Sequence, residues 1–298
     1  MSDHTFDANA TIEWYDRYSD KYDEDVFEQR DDNYGGDLYR LKLIEKLLPE
    51  LGCDTVLDAG CGTAEPLLAL LRQGLTVRGF DFSPGMIKQG KNKLLENNLD
   101  PDLIEVADVT DDAIVEHFGR NSFDAVVANG ILPYVEDLEK AHTNLSALVK
   151  PGGYYISAYS NELLDLSTLN RFTVAFHKRN FIDPLPIDQE SSAALVSGIE
   201  KLIANPDVPK NIYKSARNEI YLRSDNPLTI GNELKKFGLH QIDILFYKFH
   251  AFPPLLSELS DEFKKILVQN SRSYEIERAK DWRGYFLAST FIVVCRKD

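Results

Sequence analysis

Apolar and polar positions follow a clear alternation through the first half of the chain. Short apolar runs at 55–58 (TVLD), 76–81, 103–107, 123–129 and 153–159 read as strands. The stretches 64–73, 84–97, 111–118 and 136–149 have the 3.6-residue periodicity of helices. Strands alternating with helices predict right-handed βαβ units on a parallel sheet, and so an α/β, doubly wound architecture. Lys150-Pro151-Gly152-Gly153 reads as a helix stop and turn ahead of the fifth strand.

The flanks follow other patterns. Trp14, Tyr18 and Tyr22 recur at every fourth position, as on one helical face, before Gly35-Gly36 interrupts the pattern. A second amphipathic helix follows over 38–51 and ends near Gly52. Beyond 160, helical patterns at 162–178 and 189–204 are separated by Pro184 and Pro186 and followed by Pro206 and Pro209. A helix over 227–239, a strand over 240–249, a mostly helical stretch over 253–280 and a final strand over 285–297 complete the chain, which brings the strands to seven. The expected organisation is thus an N-terminal helical segment (1–52), a core (53–160), a helical cap insertion (161–225) and a C-terminal completion of the sheet (226–298). An insertion between late elements tends to sit over the carboxyl edge of the sheet, where open α/β folds bind ligands; the alternative is a helical decoration that touches no ligand.

Charge narrows the partners. The 298 residues carry 33 Lys+Arg against 48 Asp+Glu, a formal charge of −15. That excess argues against a nucleic-acid backbone or an anionic membrane as partner, because both call for surplus Lys and Arg. Twelve of the acids and only Arg17, Lys21 and Arg30 fall in the first 37 residues. No basic-then-apolar start marks a signal peptide, and no apolar run reaches membrane-spanning length. Cys53, Cys61 and Cys295 form no CxxC pair, which fits a reducing, cytoplasmic setting and gives no metal signature.

The chemistry concentrates where strands end. Asp58 closes the first strand, and Gly60-Cys61-Gly62 turns into a helix whose unpaired N–H groups and missing Cβ atoms allow a ligand to approach. A tight strand-to-helix turn also needs glycine for geometry alone. Asp81 ends the second strand, 19 residues after Gly62, where an acid can take both hydroxyls of a ribose or simply cap the following helix alongside Ser83. Asp108 ends the third strand and Asn129 the fourth. A nicotinamide dinucleotide is disfavoured, because Glu65 occupies the third position of the G-x-G-x-x-G pattern and would repel a pyrophosphate.

The segments VLDAGCGTA (56–64), VRGFDFSPGMI (77–87), EVADVTD (105–111), FDAVVANGILPYVED (123–137) and LVKPGGYYIS (148–157) resemble, in order and spacing, the class I S-adenosylmethionine-dependent methyltransferases. They cover about a third of the chain. Ala64 departs from the pattern, which often has a third glycine there, and a packing adjustment rather than a lost site is expected. The resemblance implies a Rossmann-like methyltransferase fold with S-adenosylmethionine as cofactor. It places Gly60, Gly62, Asp58 and Asn129 at the methionine end, Asp81 on the ribose, and Met86, Asp108 and the Val109 N–H at the adenine. For Met86, a plain core contact of its helix is the competing reading. The N-terminal segment resembles the lid of small-molecule methyltransferases, with Tyr15, Tyr18 or Tyr22 near the sulfonium; an aromatic stripe packed on the sheet is compatible with this.

The expected activity is methyl transfer to an oxygen or nitrogen of a small organic acceptor such as a sugar, an amine or a secondary metabolite. Such a transfer needs in-line positioning, and a general base only when the acceptor must lose a proton. His177 in the cap and His250 after the sixth strand are candidate bases, Tyr134 is a candidate pocket residue, and Arg171 is a candidate anion binder. The fourth-strand sequence Asn-Gly-Ile-Leu differs from the Asn/Asp-Pro-Pro-Tyr that resembling enzymes use on nucleobases. The expected partner is therefore a small molecule rather than nucleic acid or a membrane, with no metal and with a homodimer left open. The competing readings are a non-catalytic cofactor-binding sensor or scaffold and a protein or RNA methyltransferase.

Overall fold

The computed structural model describes residues 7–28, 35–166, 171–204, 222–249, 272 and 275–298. Seven strands, β1 (Thr55–Ala59), β2 (Thr76–Asp81), β3 (Ile104–Val106), β4 (Phe123–Ala128), β5 (Val149–Ser160), β6 (Leu239–Phe249) and β7 (Ala288–Lys297), form one sheet. Their order is β3-β2-β1-β4-β5-β7-β6, with β7 antiparallel to both neighbours and β1–β5 parallel. The chain winds outward from β1 to β3, then returns to place β4 and β5 on the other side of β1. A doubly wound sheet opens a crevice at that reversal, beyond the carboxyl ends of β1 and β4.

The central strands are covered on both faces, which explains their unbroken apolar runs. Val56 and Leu57 are both fully buried, the first with Leu48, Leu68 and Ile156, the second with Phe80, Leu145 and Tyr159 on the opposite face. Among the described residues, three helices precede β1: α1 (Ala8–Tyr18), α2 (Tyr22–Val26) and α3 (Gly36–Glu50). The crossovers are α4 (Glu65–Arg72), α5 (Pro84–Glu96), α6 (Ala113–Phe118) and α7 (Leu138–Leu148). Asp7 starts α1 by accepting from the N–H groups of Asn9 and Ala10 at 3.0 and 3.1 Å.

Several elements depart from the sequence pattern. Lys150–Gly153 is not a turn before β5 but part of it: Val149 pairs with Phe123, the register slips, and pairing resumes at Tyr154 with Ala125. Pro151 offers no N–H and Gly152 is left-handed (φ 75°), so the segment behaves as an interruption within the strand. The helix expected over 227–239 shrinks to α11 (Ile230–Leu234) and a single tighter turn, ended by left-handed Gly238. The strand expected from 285 begins at Ala288, because Gly284–Leu287 forms a helical turn. The pattern at 162–178 yields α8 (Glu162–Asp165) and α9 (Arg171–His177), and that at 189–204 yields α10 (Gln189–Ile203). Most of the stretch 253–280 lies outside the described residues, of which none forms a helix long and apolar enough to cross a membrane.

Candidate functional site

The crevice at the strand reversal holds a cavity of about 240 Å³. Its floor is the turn after β1. Gly60 adopts φ 81°, and a Cβ there would stand 1.9 Å from Ile131 Cγ2, so no other residue fits between the β1 and β4 loops. The Gly62 N–H donates to Asp81 Oδ2 at 3.0 Å, and the Ser83 N–H to Asp81 Oδ1 at 2.9 Å. One buried carboxylate thereby fixes two loops around the cavity. Met86 is buried against the space, and Asp108 presents a carboxylate whose Oδ1 is oriented by the Thr110 N–H and hydroxyl, both at 2.8 Å.

Helix α1 forms the roof. Ala8, Thr11 and Tyr15 border the cavity, while Asp16 turns the other way onto the start of α5. Asp16 Oδ1 accepts from the Ser83 hydroxyl at 2.5 Å and from the Gly85 N–H at 2.8 Å. Further along, Asp20 meets Gln89, and Asp23 meets Thr63 and Lys93, which also holds Glu65 at 2.9 Å. The N-terminal acids thus form a row of ties to α4 and α5, and Glu65 is turned to Lys93 at the first turn of α4.

A second cavity of about 730 Å³ adjoins the first. Trp14, Tyr18, Tyr159 and Tyr247 contribute aromatic walls, and Asp37, Arg40 and Lys248 contribute charge. Tyr15, Tyr22, Gly130 and Tyr134 border both cavities and define the junction between them. Tyr15 and Tyr134 stand ring-edge to ring-face with centroids 5.6 Å apart. Burial, with Tyr134 and Tyr22 beside it, raises the Tyr15 hydroxyl well above its ordinary value, so it stays protonated as a hydrogen-bond donor.

Two carboxylates beside the first cavity are held far from their ordinary ionisation. Burial pushes Asp58 up to about 7, against the opposing pull of Arg40 and reinforced by Asp81. Burial also pushes Asp81 up to about 6, against the bonds from Ser83, Gly62 and Phe82. Asp58 Oδ2 and Asn129 Oδ1 are buried and accept no hydrogen bond among the described residues. Both line a small cleft together with Arg40. Asp58 Oδ2 and Asn129 Oδ1 are thus two buried acceptors in one cleft that the described residues leave unmatched.

Of the residues singled out from sequence, Tyr15, Tyr22, Gly60, Gly62, Asp81, Met86, Asp108, Val109, Asn129 and Tyr134 line the first cavity, and Asp58 lies behind it in the small cleft. His177 lies on α9 against Phe176 and Phe181 and lines neither cavity. Arg171, stacked over Phe172 at 4.8 Å, lines neither. His250 lies outside the described residues. Arg40 was not anticipated, although it falls on the apolar stripe of α3 three and four residues before Leu43 and Ile44, an odd place for a charge.

Residues 57–157 match the family model described as "Methyltransferase domain". The chain is 34% identical over 137 residues to a ubiquinone biosynthesis O-methyltransferase of Paracidovorax citrulli (46% of this chain, 52% of the relative). It is 32% identical over 134 residues to the Coxiella burnetii protein of the same name (44% and 50%). The chain thus spans about half the length of the curated relatives it matches. Among solved structures, magnesium protoporphyrin IX methyltransferase from Synechocystis PCC 6803 superposes with a TM-score of 0.57 at 12% identity, over 98% of this chain and 100% of that one. The cyclase SpnF superposes with a TM-score of 0.56 at 14% identity, over 99% of each chain. Residues 57–157 are thus similar to methyltransferase domains, and the seven-stranded sheet shares its fold with the solved methyltransferase above. A cyclase on the same fold means that the reaction has to be argued from the site.

Proposed function

We propose that the protein is an S-adenosylmethionine-dependent methyltransferase acting on a small organic acceptor, with oxygen favoured over nitrogen by the names of its curated relatives. The observation that carries this reading is that Asp58 Oδ2 and Asn129 Oδ1, buried acceptors without a donor among the described residues, meet in the small cleft, while Asn129 also lines the cavity that holds Asp81. A ligand with an ammonium at one end and a ribose further along answers both needs. Asp58 and Asn129 would accept from the ammonium, and Arg40, beside them, would meet the adjoining carboxylate. Asp81 would take the ribose hydroxyls, while Met86, Asp108 and the Val109 N–H would bound the adenine. Bound there, S-adenosylmethionine supplies a methyl group made electrophilic by a sulfonium.

The protein's part is positioning and exclusion of water. Tyr15, Tyr22 and Tyr134 surround the junction where the two cavities meet. Their rings favour a neighbouring cation by about 0.5–2 kcal/mol each, and the protonated Tyr15 hydroxyl can orient an acceptor oxygen. The 730 Å³ cavity is the acceptor chamber, of a size for a small or medium molecule and bordered on one side by the N-terminal helices. Three buried, unpaired cysteines support a reducing, cytoplasmic location.

Calorimetric titration with S-adenosylmethionine, followed by an acceptor screen with methyl-labelled cofactor, tests the reading. Stoichiometric binding with label transfer to a small molecule is expected. Binding without transfer to any acceptor would favour the sensor alternative, and no binding would overturn the proposal.

A further inference from the structure

Gly35-Gly36 interrupts the N-terminal pattern, and the cofactor site does not account for it. Its role becomes visible across the fold. A Cβ on Gly36 would stand 2.7 Å from Lys248 Cγ and 2.8 Å from Lys248 Cε, so the lysine stem lies where any other side chain would be. Lys248 is itself left-handed, φ 55°, within strand β6. Among the described residues, the other non-glycine residues with positive φ are Ala64 at a helix start and Asn98 and Asn121 in turns, where small or Asx residues ease the conformation. A lysine held this way inside a strand is strained, and such strain concentrates where a side chain must point to a set place.

That place is the wall of the acceptor chamber. Lys248 Nζ lies 2.8 Å from Asp37 Oδ2, and Asp37 Oδ1 lies 3.2 Å from Arg40. Asp37 is half-buried and already has the buried Arg40 as its partner, so Lys248 is a second cation on one carboxylate. An ammonium has three donors, and the Lys248 side chain keeps about a third of its surface accessible. Arg40 also reaches toward Asp58 and Asn129, whereas Lys248 lines only the acceptor chamber. The rings of Trp14, Tyr18 and Tyr159 line the same cavity, and Lys248 Nζ lies 6.0 Å from the centre of the Tyr247 ring.

We propose that Lys248 is a specificity-determining anchor for an anionic group on the acceptor, and that the acceptor is an organic acid with a flat, apolar body. This rests on the methyltransferase reading above and adds the chemical class of what enters the second cavity. A carboxylate would take charge-assisted hydrogen bonds from Lys248 while its body stacks on the aromatic walls. Cationic amines would meet like charge there.

The test titrates the protein, saturated with S-adenosylhomocysteine, with matched acids and amides: 4-hydroxybenzoate against 4-hydroxybenzamide, and 4-hydroxycinnamate against its amide. The acids should bind about tenfold or more tightly than the amides, the span of one charge-assisted hydrogen bond. Lys248→Met should bring that ratio to about one, with S-adenosylhomocysteine affinity unchanged, and Lys248→Arg should restore the preference. Equal binding of acid and amide, a preference for the amides, no binding by any acid of the panel, or a ratio that survives Lys248→Met would each overturn the inference. So would loss of S-adenosylhomocysteine binding in Lys248→Met, which would make the lysine structural. Failure of the wild type to bind S-adenosylhomocysteine would show up separately, as failure of the cofactor reading, and would take this inference with it.

Discussion

Replacing Gly85 with alanine should separate cofactor affinity from fold stability. Gly85 is in the first turn of α5, and a Cβ there would stand 2.8 Å from Asp16 Oδ1 and 2.9 Å from Asp16 Cα. The added methyl therefore meets backbone as well as side chain, and α1 must lift. Two bonds to the Asp16 carboxylate are at stake, from the Ser83 hydroxyl and the Gly85 N–H. Each hydrogen bond to a charged group contributes about 1.5–3 kcal/mol, so closure of the roof loses about 3–6 kcal/mol before any re-seating of the helix. Partial recovery through Asp20 and Asp23 should leave about 2 kcal/mol, or about thirtyfold in Kd for S-adenosylhomocysteine. Helix α5 itself gains from alanine over glycine by up to about 1 kcal/mol, so the core does not weaken. Titration calorimetry beside a thermal melt reads both effects. A Kd within twofold of wild type would refute the claim that α1 roofs the cofactor cavity.

Other outcomes follow from the same geometry. Asp58 and Asp81 titrate near 7 and 6 in the folded protein, above the ordinary carboxylate value of 3.8. The ligand-free protein should therefore lose stability as pH rises from about 4 through 7, while cofactor affinity falls as pH drops below about 7. Titrations near pH 6.5 in buffers of different ionisation heat should show protons released on binding; proton-neutral binding would contradict this. Ala64, left-handed at φ 64°, should become more stable as glycine by about 0.5–1 kcal/mol, read as a higher denaturant midpoint. Asp81→Asn should weaken cofactor binding by about 1–3 kcal/mol in a direct titration, since it removes the charge that takes the ribose and holds the Gly62 and Ser83 loops.

How much of this was legible beforehand differs by element. Strands β1, β2 and β4 announced themselves because central parallel strands are apolar on both faces, and their ends carried Asp58, Asp81 and Asn129 in the open. The helix expected over 227–239 is shorter than its apolar spacing suggests, because Lys235–Phe237 tightens into a single turn that left-handed Gly238 ends. The acids of the first 37 residues read equally well as a solvated face; only docking reveals that Asp16, Asp20 and Asp23 tie α1 and α2 to α5. Arg40 left a trace, as a charge on an apolar stripe. Lys248 left none, because its meaning depends on Gly36, 212 positions earlier, lying beside it.

A crystal structure of the protein with S-adenosylhomocysteine tests the central claim most directly. The account predicts the ammonium on Asp58 and Asn129, the ribose hydroxyls on Asp81, and the adenine between Met86 and the Asp108–Val109 backbone, with Tyr15 and Tyr22 closing over the sulfur. A ligand seated elsewhere, or one that leaves Asp58 and Asn129 without a donor, would contradict it.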